Sequence, residues 1–215
     1  MVHQAGYRET RAILEKYSIS LPKGILISSK SKVNLSRKIG YPQAMKIISN
    51  DVIHKSDAGG VVTGIMNIKE AKLAFKKIIK NVKRKMPDAE IKGVLVQKMS
   101  TGTEIIIGMK RDKQFGPVIL FGLGGVFVEV LKDVTIQIAP VSINQAKSMI
   151  KRIKGISLLK GARGSKPADI DRIALIISRL SNLSMNEKDI IEIDLNPVMI
   201  DGNKINIVDA RILKC

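Results

Sequence analysis

The apolar residues of this chain change their spacing along its length, and each change marks an element. In RETRAILEKY (8–17), Ala12, Ile13 and Tyr17 recur at helical spacing with charges between them, which predicts a short N-terminal helix. GILIS (24–28), after Pro22, reads as a strand, and the polar SKSKVNLSRKIG (29–40) as a loop and a short helix. AMKIIS (44–49) reads as a strand with a lysine in its middle, the polar stretch to Gly60 as a loop, and VVTGI (61–65) as a strand. IKEAKLAFKKIIKNVKRKM (68–86) gathers Ala71, Phe75, Ile78, Ile79 and Val82 on one helical face and leaves its lysines on the solvated side.

After Met-Pro-Asp (86–88) the period shortens to that of strands, over 91–99, 103–112, 117–125 and 133–140. Two helices follow, 144–153 and 167–183, the second opened by Pro167 near its first turn. The chain closes with IIEIDLNPVMIDGNKINIVDARI (190–212), where Asp201-Gly202 between two apolar runs predicts a hairpin. Strands and helices in this order, with hairpins in place of strict βαβα alternation, predict an α+β fold without internal repeats.

A chain of 215 residues that is 45% apolar suits one domain or two tightly joined lobes. Its longest uncharged apolar run, 114–128, contains four glycines and a proline and falls short of the roughly 18 residues a membrane span needs. Charges stand where a signal peptide would place its apolar core, so no membrane association is expected. A single cysteine, Cys215, leaves no internal disulfide or multi-cysteine zinc site, and a cytoplasmic location is the expectation. With 37 Lys+Arg against 19 Asp+Glu, the net charge of +18 favours polyanions: nucleic acid, phosphorylated metabolites or an acidic protein surface. The absence of Trp and the scatter of lysines along helix faces make a nucleic-acid-binding module the least favoured of these. Heavy Ile and Lys usage equally fits a thermophile or an AT-rich genome.

Four constellations carry candidate chemistry. Lys46 interrupts an apolar strand, where an ammonium is costly unless an anion meets it or the strand is an edge that turns it to solvent. The Ala58-Gly59-Gly60 turn permits positive φ and a close approach of backbone N–H groups to an anion, or is only a turn. His54, one of two histidines, lies four residues before Ala58; it is either a structural imidazole or a nucleophile able to carry a phosphoryl group. FGLGG (121–125), followed by Glu129, Lys132 and Asp133, fits neither the Walker pattern nor GxGxxG. Finally, Asp194, Asn196 and Asp209 are brought to one place if 190–212 folds antiparallel, as solubilising charge or as hard oxygen ligands of the kind magnesium takes.

Together these segments resemble the β subunit, or β-type domain, of the ADP-forming acyl-CoA (acetyl-CoA) synthetases, whose nucleotide-binding part is an ATP-grasp fold. The resemblance runs from GYRETRAIL to VDARI and is most specific in YPQAMKIISNDVIHKSDAGGV (41–61), RDKQFGPVILFGLGGVFVEVLKDV (111–134), LLKGARG (158–164) and EIDLNPVMIDG with VDAR (192–211). It implies one ATP-grasp domain over 1–215 with two α+β lobes, approximately 20–97 and 98–215, and nucleotide bound between them. It also implies the reversible conversion of acyl-CoA, ADP and phosphate to the free acid, CoA and ATP through acyl phosphate and phosphohistidine. The partner implied is an α subunit carrying the CoA-binding and first phosphohistidine parts; Mg²⁺ is the cofactor, and ATP/ADP is a substrate.

By the same resemblance His54 takes the phosphoryl group and delivers it to ADP, and Lys46 contacts the nucleotide phosphates. The loop with Ser56, Asp57, Gly59 and Gly60 covers those phosphates. Gln97, Lys98 and Met99 run past the adenine, with Glu104 just beyond, and Asn196 and Asp209, with Asp194 beside them, hold the metal. Two positions depart from the family pattern: Lys98 where a glutamate is usual, and Gln137 where an arginine is usual. The competing expectations are an ATP-grasp ligase joining a carboxylic acid to an amine and a divergent, non-catalytic ATP-grasp subunit.

Overall fold

A computed structural model describes residues 2–125, 132–162 and 166–215. The chain divides into two compact units, one of Pro22–Met99 and one of Met1–Leu21 with Ser100–Cys215. Residues 1–21, which the expected lobes left almost entirely unassigned, belong to the unit formed by the C-terminal half.

The Pro22–Met99 unit is a four-stranded antiparallel sheet with one long helix against it. Strands β2 (Gly24–Ile27), β3 (Gln43–Ile48), β4 (Val61–Ile65) and β5 (Gly93–Lys98) lie in the order β2-β5-β3-β4, so β3 is interior. Helix α2 (Ile68–Lys85) starts where the Asn67 side chain accepts from the Glu70 amide at 3.0 Å and donates back to the Glu70 carboxylate at 2.6 Å, closing the first turn. Its Ala71, Ala74, Phe75, Ile78 and Val82 pack on Met45, Ile47, Val94 and Val96 of the sheet. The stretch expected as a loop and a short helix is instead one ten-residue 3₁₀ helix, Lys30–Ile39. It buries Val33 and Ser36, three positions apart, which is the repeat of a 3₁₀ turn, and Gly40 at φ +73° ends it.

The other unit is a seven-stranded sheet in the order β1-β11-β9-β6-β7-β8, with β10 also on β9. Its strands are β1 (His3–Gln4), β6 (Thr103–Asp112), β7 (Gly116–Leu123), β8 (Val134–Ile138), β9 (Ile190–Asp201), β10 (Lys204–Ile207) and β11 (Ala210–Lys214). Ile105, Ile107, Met109, Ile119, Phe121 and Leu123 turn to one face, the two-residue period of strands, and pack on the apolar sides of α3 (Ile143–Arg152) and α5 (Ile170–Asn186). Helix α1 (Tyr7–Lys16) and the one-turn α4 (Ile156–Leu159) complete the unit as described. Helix α5 begins three residues later than Pro167 suggested, because Asp169 is its N-cap and accepts from the Arg172 amide at 3.0 Å. Its C-terminal end is held by Arg111, which donates to the carbonyls of Ser184 (2.7 Å), Glu187 (3.1 Å) and Ile190 (3.0 Å).

The C-terminal hairpin has a more particular form than two paired runs. The Asp201-Gly202 turn sends β10 back along β9, and β11 continues along the same strand, from Ala210 opposite Leu195 to Lys214 opposite Ile190. Between them the ladder is interrupted where Asn196-Pro197 faces Val208-Asp209. Pro197 has no N–H to give, so only its carbonyl takes part, accepting from Val208 N at 2.9 Å.

Candidate functional site

In the Pro22–Met99 unit the strand lysine is buried. Lys46 pairs with Val61 on one side and Leu95 on the other and is 9% exposed, so the edge-strand alternative does not hold. Met45 and Ile47 on either side of it belong to the core under α2, which puts Lys46 on the opposite face of the sheet. Gln97, 6% exposed, gives its amide to the Pro22 carbonyl at 3.3 Å. Lys98 is exposed and donates to the Tyr41 carbonyl, and the Met99 amide donates to Pro42 at 3.0 Å. Of the three expected hinge residues, Gln97 is thus tied to Pro22, and Lys98 and Met99 to Tyr41-Pro42.

His54 is exposed and lines a cavity of about 400 Å³ together with Asp51, Asp57, Lys85 and Met86. The turn after it is not an open nest of amides. Ala58 N donates to the His54 carbonyl (3.1 Å), Gly59 N to Ser56 (2.9 Å) and Gly60 N to Lys55 (2.7 Å), so the three amides offered by the sequence are spent within the turn. What the two glycines supply is room. Gly59 has φ +65°, and a Cβ there would stand 2.7 Å from Asn81 Nδ2; a Cβ on Gly60 would stand 2.6 Å from Ile47 Cγ2. The turn is therefore pressed onto α2 and β3, with Ser56 and Asp57 exposed at its tip. Asn81 and Lys85 of α2, which reach this turn, carry no motif; only their spacing of four on the polar side of an amphipathic helix hints that they act together.

In the other unit, Glu104 on β6 stands beside the second glycine cluster. The Gly124 amide donates to the Glu104 carbonyl at 2.8 Å, and added Cβ atoms on Gly124 and Gly125 would stand 2.9 Å from Glu104 Cβ and 3.1 Å from Glu104 Oε2. These glycines let the β7 turn close over Glu104. Glu129 and the parts of the motifs over 126–131 and 163–164 lie outside the described residues.

Of the three proposed metal ligands, Asn196 and Asp209 face each other at the interruption in the β9 ladder, and Asp194 lies two residues before Asn196 on β9. Asn196 N donates to the Asp209 carbonyl at 3.2 Å, and Asp194 lies across from Arg211, which makes an ion pair with Glu192. Ile193 and Leu195 point into the core, so Glu192, Asp194 and Asn196 share the opposite, open face. A cavity of about 460 Å³ on that face has an apolar floor of Ile106, Val118, Leu120 and Ile136, with Asp194 and Glu192 at its edge. Among the described residues no cluster of three His, Cys, Asp or Glu forms a self-contained metal centre. Two carboxylates and an amide oxygen are all hard donors, a set that fits a magnesium ion keeping waters and substrate phosphates in its remaining positions.

Two α+β units, one a four-stranded antiparallel sheet with a long helix against it and the other a seven-stranded sheet packed on two helices, have the architecture of the ATP-grasp class. The chain belongs to that family: the profile described as "ATP-grasp domain" matches residues 3–213. Within it the chain is a member of the group of ADP-forming acetyl-CoA synthetase β subunits. It is 44% identical over 207 residues to the acetate–CoA ligase (ADP-forming) I subunit beta of Pyrococcus furiosus, covering 95% of this chain and 89% of that one. It is 47% identical over 205 residues to acetate–CoA ligase (ADP-forming) I of Archaeoglobus fulgidus, covering 94% of this chain but spanning only 30% of that longer protein. Its fold matches the dinucleotide-forming acetyl-coenzyme A synthetase 1 of Ca. Korarchaeum cryptofilum, solved with coenzyme A and Ca-AMPCP, with a TM-score of 0.94 and 43% identity over 99% of this chain and 94% of that one. Among the described residues no helix is long and apolar enough to cross a membrane.

Proposed function

We propose that this chain is the nucleotide-binding β subunit of an ADP-forming acyl-CoA synthetase, converting acyl-CoA, ADP and phosphate to acid, CoA and ATP with an α part that binds CoA and forms the first phosphohistidine. The need for a second part is supported by the longer relatives, of which this chain spans about a third. The observation that carries the reading is His54: exposed, on a turn pressed against the strand next to buried Lys46, and open to a cavity.

His54 takes the phosphoryl group on an imidazole nitrogen and passes it to the terminal phosphate of ADP. Such a transfer needs positioning and charge neutralisation above all. Lys46 and the turn over Ser56, Asp57, Gly59 and Gly60 face the phosphates, while Gln97, Lys98, Met99 and Glu104 border the base and sugar. Asp194, Asn196 and Asp209 hold Mg²⁺, which supplies neutralisation of phosphate charge when bound.

The test is the complete reaction with the α part, acyl-CoA, phosphate and Mg-ADP. His54→Ala is expected to slow ATP formation by at least about a thousandfold, the scale of losing a covalent nucleophile. A variant that makes ATP as fast as the parent rules the relay out.

A further inference from the structure

The turn that carries His54 is held by the last two turns of α2. Asn81 Nδ2 donates to the Gly59 carbonyl at 3.3 Å, and Lys85 Nζ donates to the Asp57 carbonyl. Four residues apart, the two side chains stand one above the other on the same helix face. Asn81 is also the group that a side chain at position 59 would strike, so the contact is a close-packed one. Lys85 does something Asn81 does not: it lines the cavity that His54 lines. It stands in the final turn of α2 with Lys83 and Arg84, where the helix dipole favours cations.

A phosphoryl group on His54 brings close to two negative charges into a cavity whose other charged walls are Asp51 and Asp57. Lys85 is the cation on that wall. An ammonium bound to a neutral carbonyl gains more from a phosphoryl oxygen, because the hydrogen bond then joins two opposite charges and Coulomb attraction is added to it. We propose that Asn81 is a positioning residue that fixes the histidine turn, and that Lys85 is a phosphoryl-binding residue that exchanges the Asp57 carbonyl for the phosphoryl oxygens on His54. This rests on the relay reading above. In the transfer the N–P bond at the imidazole breaks as a P–O bond forms to the terminal phosphate oxygen of ADP. The bonding pair returns to the imidazole nitrogen, and Lys85, still protonated, returns to the Asp57 carbonyl.

The reverse half-reaction tests this. The full chain is incubated with [γ-³²P]ATP and Mg²⁺, with and without the α part, and acid-labile label on His54 is followed over time. Lys85→Met is expected to slow labelling by about tenfold or more at saturating ATP while leaving KM for ATP within about twofold, since the lost contact is to the transferred group. Lys85→Gln keeps a donor for the Asp57 carbonyl without the charge and is expected to melt as the parent does and still label slowly. Lys85→Arg restores most of the rate. Equal labelling rates in the parent and Lys85→Gln overturn the inference and leave the relay standing. A parent that takes no label on His54 under either condition overturns the relay and the inference together.

Discussion

A lysine inside a four-stranded sheet is tolerable only when oxygen or anion partners offset the loss of water around its ammonium. Lys46 is such a residue, 9% exposed on the interior strand β3. Exchanging it for methionine keeps much of the volume and removes the charge. Lys46→Met is therefore expected to fold with an unchanged or slightly raised melting temperature while Mg-ADP binding weakens by about ten- to a hundredfold, the worth of one or two charge-assisted hydrogen bonds. Titration calorimetry alongside thermal melting checks both halves; unchanged affinity removes Lys46 from the phosphate site. The apolar neighbours of Lys46 were legible as a strand, but its burial was not, because whether a strand is edge or interior depends on β5, some fifty residues away. The glycine turn misled for a related reason. The residue types permitted an amide nest, and only the tertiary contacts with Asn81 and Ile47 reveal that the glycines are there for clearance.

At the level of elements, periodicity located most helices and strands to within a few residues, since each buries one face against a neighbour. It failed where that logic is weak: a 3₁₀ helix with a period of three, and a returning arm broken at Asn196-Pro197. The histidine turn is the element most exposed to a backbone test. Gly59→Ala forces an L-residue to φ +65° against Asn81 and is expected to cost about 1–3 kcal/mol in denaturant unfolding, with a parallel loss of His54 labelling. A second joint ties α1 to the end of α5, where Lys16 and the Tyr17 hydroxyl both donate to the Glu187 carboxylate, at 2.6 and 2.9 Å. Hydrogen bonding from Lys16 first, and then from Tyr17, holds Glu187 below its ordinary value of 4.5. A lowered folded value means that this joint contributes fully above the unfolded value and loses its contribution as pH falls through the folded one. Glu187→Gln should consequently melt below the parent at about pH 7 and converge with it as pH falls through the lowered value of Glu187.

Charge is a property of the whole molecule, and composition counts it without locating it. Residues 22–99 hold 17 Lys and Arg against five Asp and Glu, a net +12 of the chain's +18. Helix α2 concentrates it: Lys69, Lys72, Lys76, Lys77, Lys80, Lys83 and Arg84 are exposed and, among the described residues, none has a carboxylate within ion-pair distance. Every substrate of the proposed reaction is an anion, so a field of one sign over one unit raises their local concentration and their rate of encounter. Stopped-flow association of a fluorescent ADP should then slow by about tenfold between roughly 20 and 500 mM salt, as the Debye length shrinks from about 20 to about 4 Å. Reversing Lys72, Lys76 and Lys80 to glutamate together is expected to lower the low-salt rate and flatten the salt dependence. Dissociation should be unaffected, because these side chains lie on the solvated face of α2. A parent whose association is already independent of salt would leave the lysines as a compositional habit with no part in substrate capture.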